Sequence, residues 1–265
     1  MKWMLKTPRG KDLREGLELA KEAGYDGAEI QIYDAPGGEA WEKLVRNEAE
    51  RLGLLISVHA PSGDINLSSS NSGIRRESLS QVLDTIRSAA AVGAMSVTVH
   101  PGRLSSMREN RERQLSWMQE ACGIISDLAG EFRINVGLEN MEQRAKEVYT
   151  SIRLLDKLIG ERNSYTGMTL DLAHLFTVDP DMDITGLRSR IMNVHISQYV
   201  KGSPHHSLMD PEGELSVSGC LRMLMDHGYD GTVAVEAKDD LGLSAARANL
   251  EILKASWREV RGAGG

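Results

Sequence analysis

Six predicted strands in this chain end on a residue that can bind a metal ion, and no other feature constrains the fold as much. Each strand is a short apolar run that stops at a His, an Asp or a Glu. The six segments are Leu54–His59, Ser96–His100, Asn135–Glu139, Met168–Asp171, Ile191–His195 and Thr232–Glu236. Because the carboxyl ends of the strands in a closed α/β barrel meet at one mouth, we expect these side chains to surround one point.

Short apolar runs alternate with longer amphipathic stretches along the whole chain, and they form eight strand-plus-helix units. The first two strands are predicted at Lys2–Lys6 and Ala28–Ile32. The length of 265 residues is close to the roughly 250 of an eight-fold barrel. A doubly wound sheet is the alternative, but no G-x-G-x-x-G follows the first strand. The pattern therefore predicts an α/β protein, a (β/α)8 barrel with residues 1–265 in a single domain.

Composition limits the partners and the compartment. The net charge of −7 and the pI of about 5.6 argue against a general basic face for nucleic acid. Cys122 and Cys220 fall in predicted helices outside any Cys-x-x-Cys pair, which indicates buried, reduced thiols. No apolar leader and no apolar run of membrane-spanning length is present in the sequence. We therefore expect a cytoplasmic protein without a membrane partner; a homo-oligomer stays open.

Most of the histidines follow strands. Of the 7 His, five lie at or just past the carboxyl end of a predicted strand: His59, His100, His174, His195 and His206. His174 comes three residues after Asp171, a spacing that suits one helical turn facing the same cavity. His206 lies in a long predicted loop, Ser197 to Glu214. A single such His is more often structural, but the set of His and carboxylates predicts a site for Zn²⁺, Mn²⁺ or a similar ion.

Two glutamates are candidates for proton transfer. Glu139 and Glu236 end strands five and eight, and a bound ion together with burial shifts the pKa of such carboxylates toward acid–base work. Lys201, six residues after His195, is a candidate for contacting an anionic or hydroxylated substrate. A solvated loop lysine is an equally good interpretation of Lys201.

Six stretches together resemble the xylose isomerase-like TIM-barrel superfamily: SVHAPSGDINLSSS, TVHPG, GLEN, LDLAH, NVHIS and AVEAK. That superfamily includes sugar and sugar-phosphate isomerases and epimerases, together with endonuclease IV (AP endonuclease family 2). The resemblance implies one divalent metal ion bound by Glu139, Asp171, His195 and Glu236. It also implies that the two Glu exchange a substrate proton, as they do in the epimerases.

The endonuclease branch of the superfamily carries a three-zinc cluster. His59, His100, His174 and His206 match its additional ligand positions, with Glu139 bridging two metals. Two departures oppose this branch: Pro204 stands where an Asp ligand is expected, and Ser62 stands where the DNA-probing loop has Tyr. A complete third zinc site would then require Asp210 or His205 as a substitute.

The sequence therefore favours a divalent-metal-dependent isomerase or epimerase acting on a small sugar, sugar phosphate or polyol. We expect one Zn or Mn ion, with His174, His59 and His100 binding substrate hydroxyls or a second metal. An endonuclease IV-like zinc phosphodiesterase with two or three ions is the alternative, as is a related metal-dependent lyase or dehydratase. A non-enzymatic binding module is disfavoured because the ligand set is complete. Nucleic acid is not the expected partner.

Overall fold

Eight parallel strands close into a barrel in the computed structural model, which confirms the predicted fold class. The structure describes residues 1–8, 12–32, 37–160, 162–187, 190–201, 203–206 (backbone), 208, 213–236 and 242–262. The barrel strands are β1 (Lys2–Lys6), β2 (Gly27–Gln31), β3 (Leu55–His59), β4 (Ser96–Val99), β5 (Asn135–Glu139), β6 (Thr166–Asp171), β7 (Ile191–Ile196) and β10 (Thr232–Val235). Around the barrel they follow the order β1-β10-β7-β6-β5-β4-β3-β2.

The helices lie outside the barrel and connect its strands. They are α1 (Leu13–Ala23), α2 (Glu39–Leu52), α3 (Ser72–Ala91), α4 (Arg111–Phe132), α5 (Ile152–Ile159), α6 (Leu172–Val178), α7 (Val217–Asp226) and α8 (Leu243–Gly262). Helix α1 begins at Asp12, whose side chain accepts a hydrogen bond from the Glu15 backbone. It ends at Gly24 in the left-handed conformation, which glycine adopts without a Cβ clash. Because the helix ends at such a glycine, the chain enters the next strand at the end of the barrel opposite the mouth.

The hydrophobic core lies between the strands and the helices. Leu17, Ile86, Ile125 and Leu253 are fully buried on the inner faces of α1, α3, α4 and α8. Burying an aliphatic side chain of this size contributes about 1.5–3 kcal/mol. The predicted burial of Cys122 and Cys220 is confirmed. No described helix is long and apolar enough to cross a membrane.

Two connections differ from their prediction. The prediction of a continuous loop from Ser197 to Glu214 was wrong, because β8 (Gln198–Val200) and β9 (Ser203–His206) form an antiparallel two-stranded sheet. Gln198 connects this two-stranded sheet to the chain that leads into α7, since its Oε1 accepts a hydrogen bond from the Leu215 backbone at 2.8 Å. Strands this short carry too few residues for an alternating pattern. The irregular crossover predicted after β6 contains the seven-residue helix α6.

Candidate active site

Four of the predicted ligands converge at the barrel mouth from β5, β6, β7 and the end of β10. Glu139, Asp171, His195 and Glu236 each offer a ligand atom, and these atoms lie within 4.8 Å of one another. His195 Nδ1 is 3.0 Å from Glu139 Oε1 and 3.1 Å from Glu236 Oε2. Asp171 is held because its Oδ1 accepts a hydrogen bond from the His174 backbone at 2.7 Å, at the start of α6. We call this set the carboxylate-rich group.

A second set shares one of these carboxylates. His59, His100 and Glu139 offer ligand atoms within the same 4.8 Å limit, and we call them the histidine group. Glu139 Oε2 is 2.9 Å from His100 Nε2 and 3.5 Å from His59 Nε2. The His59 Nδ1 atom lies 2.8 Å from the Ala60 carbonyl, which turns Nε2 toward Glu139. The two groups therefore adjoin, with Glu139 between them.

The remaining predicted site residues belong to neither group in the part of the chain that the structure describes. His174 is buried, and its Nδ1 lies 2.9 Å from the Asn140 carbonyl and 3.7 Å from Asp171 Oδ2. It borders the carboxylate-rich group without joining it among the described ligand sets. Lys201 is exposed in the turn between β8 and β9. The side chains of His205 and His206, and the whole of Asp210, lie outside the described residues.

Two charged residues that the sequence analysis missed reach the same cavity. Lys6, the last residue of β1, donates a hydrogen bond from Nζ to Glu236 Oε1 at 2.5 Å, and its side chain is 12% exposed. Glu29, in the middle of β2, is fully buried, and its Oε1 lies 2.9 Å from His195 Nε2. The signal for Lys6 was available, because β1 also ends on a charged residue. Glu29 was marked only by being a lone charge in an otherwise apolar strand.

Charge–charge contacts set the protonation of the site. Burial on its own would raise the pKa of Glu139, but His195 and His100 outweigh it and hold that pKa well below its ordinary value. Burial would likewise lower the pKa of His195, yet the carboxylates of Glu29 and Glu139 hold it well above its usual range. The pKa of Lys6 is also raised, because Glu236 and Glu29 offset the cost of burying its charge. Burial lowers the pKa of His59, which leaves its ring neutral and able to act as a ligand.

The donor set fits a divalent cation. Burying an ionised carboxylate costs several kcal/mol unless a partner compensates. Four carboxylates, those of Glu29, Glu139, Asp171 and Glu236, cluster here, and Lys6 is the one permanent cation that the described ion pairs bring against them. Glu139 Oε2 lies close to two imidazoles, yet it accepts no well-aligned hydrogen bond from the described residues. Oxygen and nitrogen donors that point at shared space in this way are what a bound ion requires.

Comparison with known proteins places the chain among barrels of one kind. A model of the xylose isomerase-like TIM-barrel family matches residues 17–256. The sequence is 27% identical to "Uncharacterized protein MJ1311" of Methanocaldococcus jannaschii over 96% of this chain and 90% of the relative. It is also 27% identical to "Probable endonuclease 4" of Petrotoga mobilis, over 45% of this chain and 41% of that protein. A solved D-tagatose 3-epimerase-like protein has a TM-score of 0.89 and 23% identity, with 100% of both chains covered, and at this identity the likeness shows the fold alone.

Proposed function

The chain belongs to the xylose isomerase-like TIM-barrel family, and we propose that it is a divalent-metal-dependent epimerase or isomerase of a small sugar, sugar phosphate or polyol. One observation carries the proposal. Two glutamates, the buried Glu139 and the partly buried Glu236, approach the same imidazole nitrogen of His195 from different strands. The fold shared with the D-tagatose 3-epimerase-like protein supports the choice of substrate class.

Two carboxylates at one mouth suit an exchange of a proton at carbon. One of Glu139 and Glu236 removes the proton from the carbon beside the substrate carbonyl, and the electron pair of that C–H bond passes into an enediol-type double bond. The other carboxylate then donates a proton to the opposite face of the same carbon, which inverts it. No oxidant or reductant is consumed, because the bond broken and the bond formed are both C–H. General acid–base catalysis of this kind contributes about 10²–10⁴-fold in rate.

The carboxylate-rich group would hold the metal ion. A bound divalent ion supplies Lewis-acid polarisation of the substrate carbonyl and of its neighbouring hydroxyl, which acidifies the C–H bond. In this scheme one of the two carboxylates must start ionised, to take the proton, and the other must start protonated, to give one. The low pKa of Glu139 suits the ionised role. Asp171 and His195 complete the ligand set, and the buried position of both excludes water from one side of the substrate.

The predicted substrate contacts remain part of the proposal. His59 and His100 lie next to Glu139, and in this proposal they would bind substrate hydroxyls or hold a second ion. His174 lies beside Asp171 and would contact the substrate from β6. Lys201 is exposed, so its contact would require a substrate that extends toward the β8–β9 sheet. His206 is proposed only as an additional ligand.

A zinc-dependent phosphodiesterase of the endonuclease IV type is the second candidate. The histidine group favours it, because two imidazoles beside a shared carboxylate provide a second metal position. The partial likeness to probable endonuclease 4 supports it over 45% of the chain. The net charge of −7 and Ser62 at the position of the DNA-probing Tyr count against it.

Metal content separates the two candidates. Protein purified without chelator would be measured by elemental mass spectrometry and then assayed on a panel of ketoses, ketose phosphates and abasic-site DNA. The epimerase proposal expects about one divalent ion per chain and turnover of a sugar that is lost with chelator and restored by Mn²⁺ or Zn²⁺. Two or three zinc ions with cleavage of abasic DNA and no sugar turnover would replace it with the phosphodiesterase.

A further inference from the structure

We propose that Lys6 and Glu29 act as a positioning pair, which fixes Glu236 and His195 in the orientation that the metal ion and the substrate require. The proposal rests on the proposed metal-dependent function but concerns two residues that supply none of the ligand atoms in that function. Lys6 holds Glu236, the ligand that follows β10. Glu29 holds His195, the ligand on β7.

The strand register places the pair side by side. Lys6 on β1 is the register partner of Glu29 on β2, and Glu29 is the register partner of Ser57 on β3. The three residues form one polar row across neighbouring strands, at positions where bulky apolar side chains normally fill a barrel. Their presence in the interior is costly unless their charges have partners. The partners are two ligands: Glu236, which follows β10 beside β1, and His195 on β7.

The two carboxylate oxygens of Glu236 have different partners, because Lys6 contacts one of them and His195 contacts the other. Oε1 accepts the hydrogen bond from Lys6 Nζ at 2.5 Å, whereas Oε2 lies 3.1 Å from His195 Nδ1. The ammonium therefore holds the carboxylate so that one oxygen faces the centre of the carboxylate-rich group. The side chain of Glu236 is only 17% exposed, so water is a poor substitute for this partner.

The contact of Glu29 does the same for the two nitrogens of His195. Nε2 forms an ion pair with Glu29 Oε1 at 2.9 Å, and Nδ1 faces Glu139 and Glu236. Ligating histidines in metal sites are commonly oriented by a carboxylate at the other ring nitrogen. Because a ring flip would put Cε1 in place of Nε2 and Cδ2 in place of Nδ1, the contact with Glu29 favours the orientation in which Nδ1 is the ligand atom.

Glu29 is itself fixed from behind. Its Oε2 accepts a hydrogen bond from Asn193 Nδ2 at 2.7 Å and lies 3.4 Å from Ser57 Oγ. Asn193 is in turn oriented because its Oδ1 accepts a hydrogen bond from Thr232 Oγ1 at 2.7 Å. This chain of contacts runs through β2, β7 and β10, so Glu29 is oriented by the barrel itself.

The test is the affinity for Mn²⁺, measured by competition with a chromophoric chelator, in four variants of the full chain. Lys6→Met removes the group that orients Glu236, so binding is expected to weaken on the order of tenfold. Glu29→Gln is expected to weaken binding about 10- to 100-fold. Glu29→Asp keeps the charge but shortens the side chain by one methylene, and about tenfold weaker binding is expected if orientation matters. Ser96→Ala is the matched control, because Ser96 is a buried serine at the start of β4 whose hydroxyl forms no hydrogen bond with the described residues.

Two further readouts separate orientation from charge and from stability. The visible absorption of the Co²⁺-loaded protein reports ligand geometry, and it is expected to change in Glu29→Asp and to stay as in the wild type in Ser96→Ala. Thermal melting of the metal-free variants identifies any chain that fails to fold. Since Lys6→Met and Glu29→Asp act through different strands, failure of one to fold leaves the other as the test.

The outcomes distinguish this proposal from the proposed function. Wild-type protein that binds Mn²⁺ but turns over no sugar would contradict the proposed function. The Mn²⁺ affinities of the variants would still test the positioning pair. Unchanged Mn²⁺ affinity and an unchanged Co²⁺ spectrum in a folded Glu29→Asp variant, with no weakening of Mn²⁺ binding in Lys6→Met, would overturn the positioning pair. Wild-type protein without measurable affinity for Mn²⁺, Co²⁺ or Zn²⁺ would overturn both.

Discussion

The carboxylate-rich group and the histidine group sit at the same mouth and share Glu139, yet they differ in chemistry. The first has three carboxylates and one imidazole, and it is backed by Lys6 and Glu29. The second has two imidazoles and one carboxylate, and its His100 side chain is 29% exposed. A rigid, oxygen-rich site suits an ion that holds substrate oxygens, whereas an imidazole-rich site suits zinc. This difference is the reason that we propose the reaction at the carboxylate-rich group.

The largest expected effect comes from the residue that the two groups share. Glu139→Gln removes a charged ligand oxygen from both, so turnover is expected to fall by about 10⁴-fold or more, because proton transfer and metal binding are lost together. Elemental analysis should show metal lost from both groups. Full metal content in this variant would mean that Glu139 does not join the groups.

The next largest effect distinguishes the carboxylate-rich group from the histidine group. Glu236→Gln leaves the histidine group intact, and turnover is expected to fall about 10²- to 10⁴-fold because one of the two proton-transfer carboxylates is gone. Steady-state kinetics on the best ketose, with thermal melting as the folding control, measures this loss. A fully active variant would show that Glu236 transfers no proton.

A smaller effect is expected from the other side of the mouth. His100→Gln removes a partly exposed imidazole from the histidine group. Turnover is expected to fall by less than about tenfold, since a single polar contact contributes about 0.5–1.5 kcal/mol. The Zn²⁺ content under zinc-replete conditions should fall if that group binds a second ion. A loss of sugar turnover as large as that of Glu236→Gln would shift the reaction centre toward the histidine group.

The smallest effect on function is expected at the opposite end of the barrel. Gly53 ends α2 with φ of 63°, and a Cβ there would meet only Lys21 Nζ at 3.9 Å. Gly53→Ala should therefore lower the free energy of unfolding by about 1–2 kcal/mol through backbone strain alone. Chemical denaturation measures the change, and turnover and metal content should match the wild type. A loss of turnover in folded protein would contradict the separation between the stabilising end and the mouth.

The sequence predicted most of the fold because strand ends and helix stops are local signals. The apolar runs and glycines such as Gly24 marked the barrel units, and the residue ending each run marked the mouth. Glu29 escaped prediction because its role depends on contacts with β7, which lies across the barrel and far away in the sequence. The role of Lys6 was not predicted, because a lysine at a strand end is expected to be solvated unless its contact with Glu236 is known.

The central claim is that Glu139 and Glu236 exchange a substrate proton at carbon, and solvent deuterium tests it most directly. The metal-loaded protein would be incubated in D₂O with the ketose that it turns over, and NMR would follow the carbon beside the carbonyl. The account predicts that deuterium enters at that carbon in step with epimerisation or isomerisation, and that Glu236→Gln strongly reduces both. Turnover of the sugar without deuterium incorporation in either protein would contradict proton exchange with these carboxylates and would require a different mechanism.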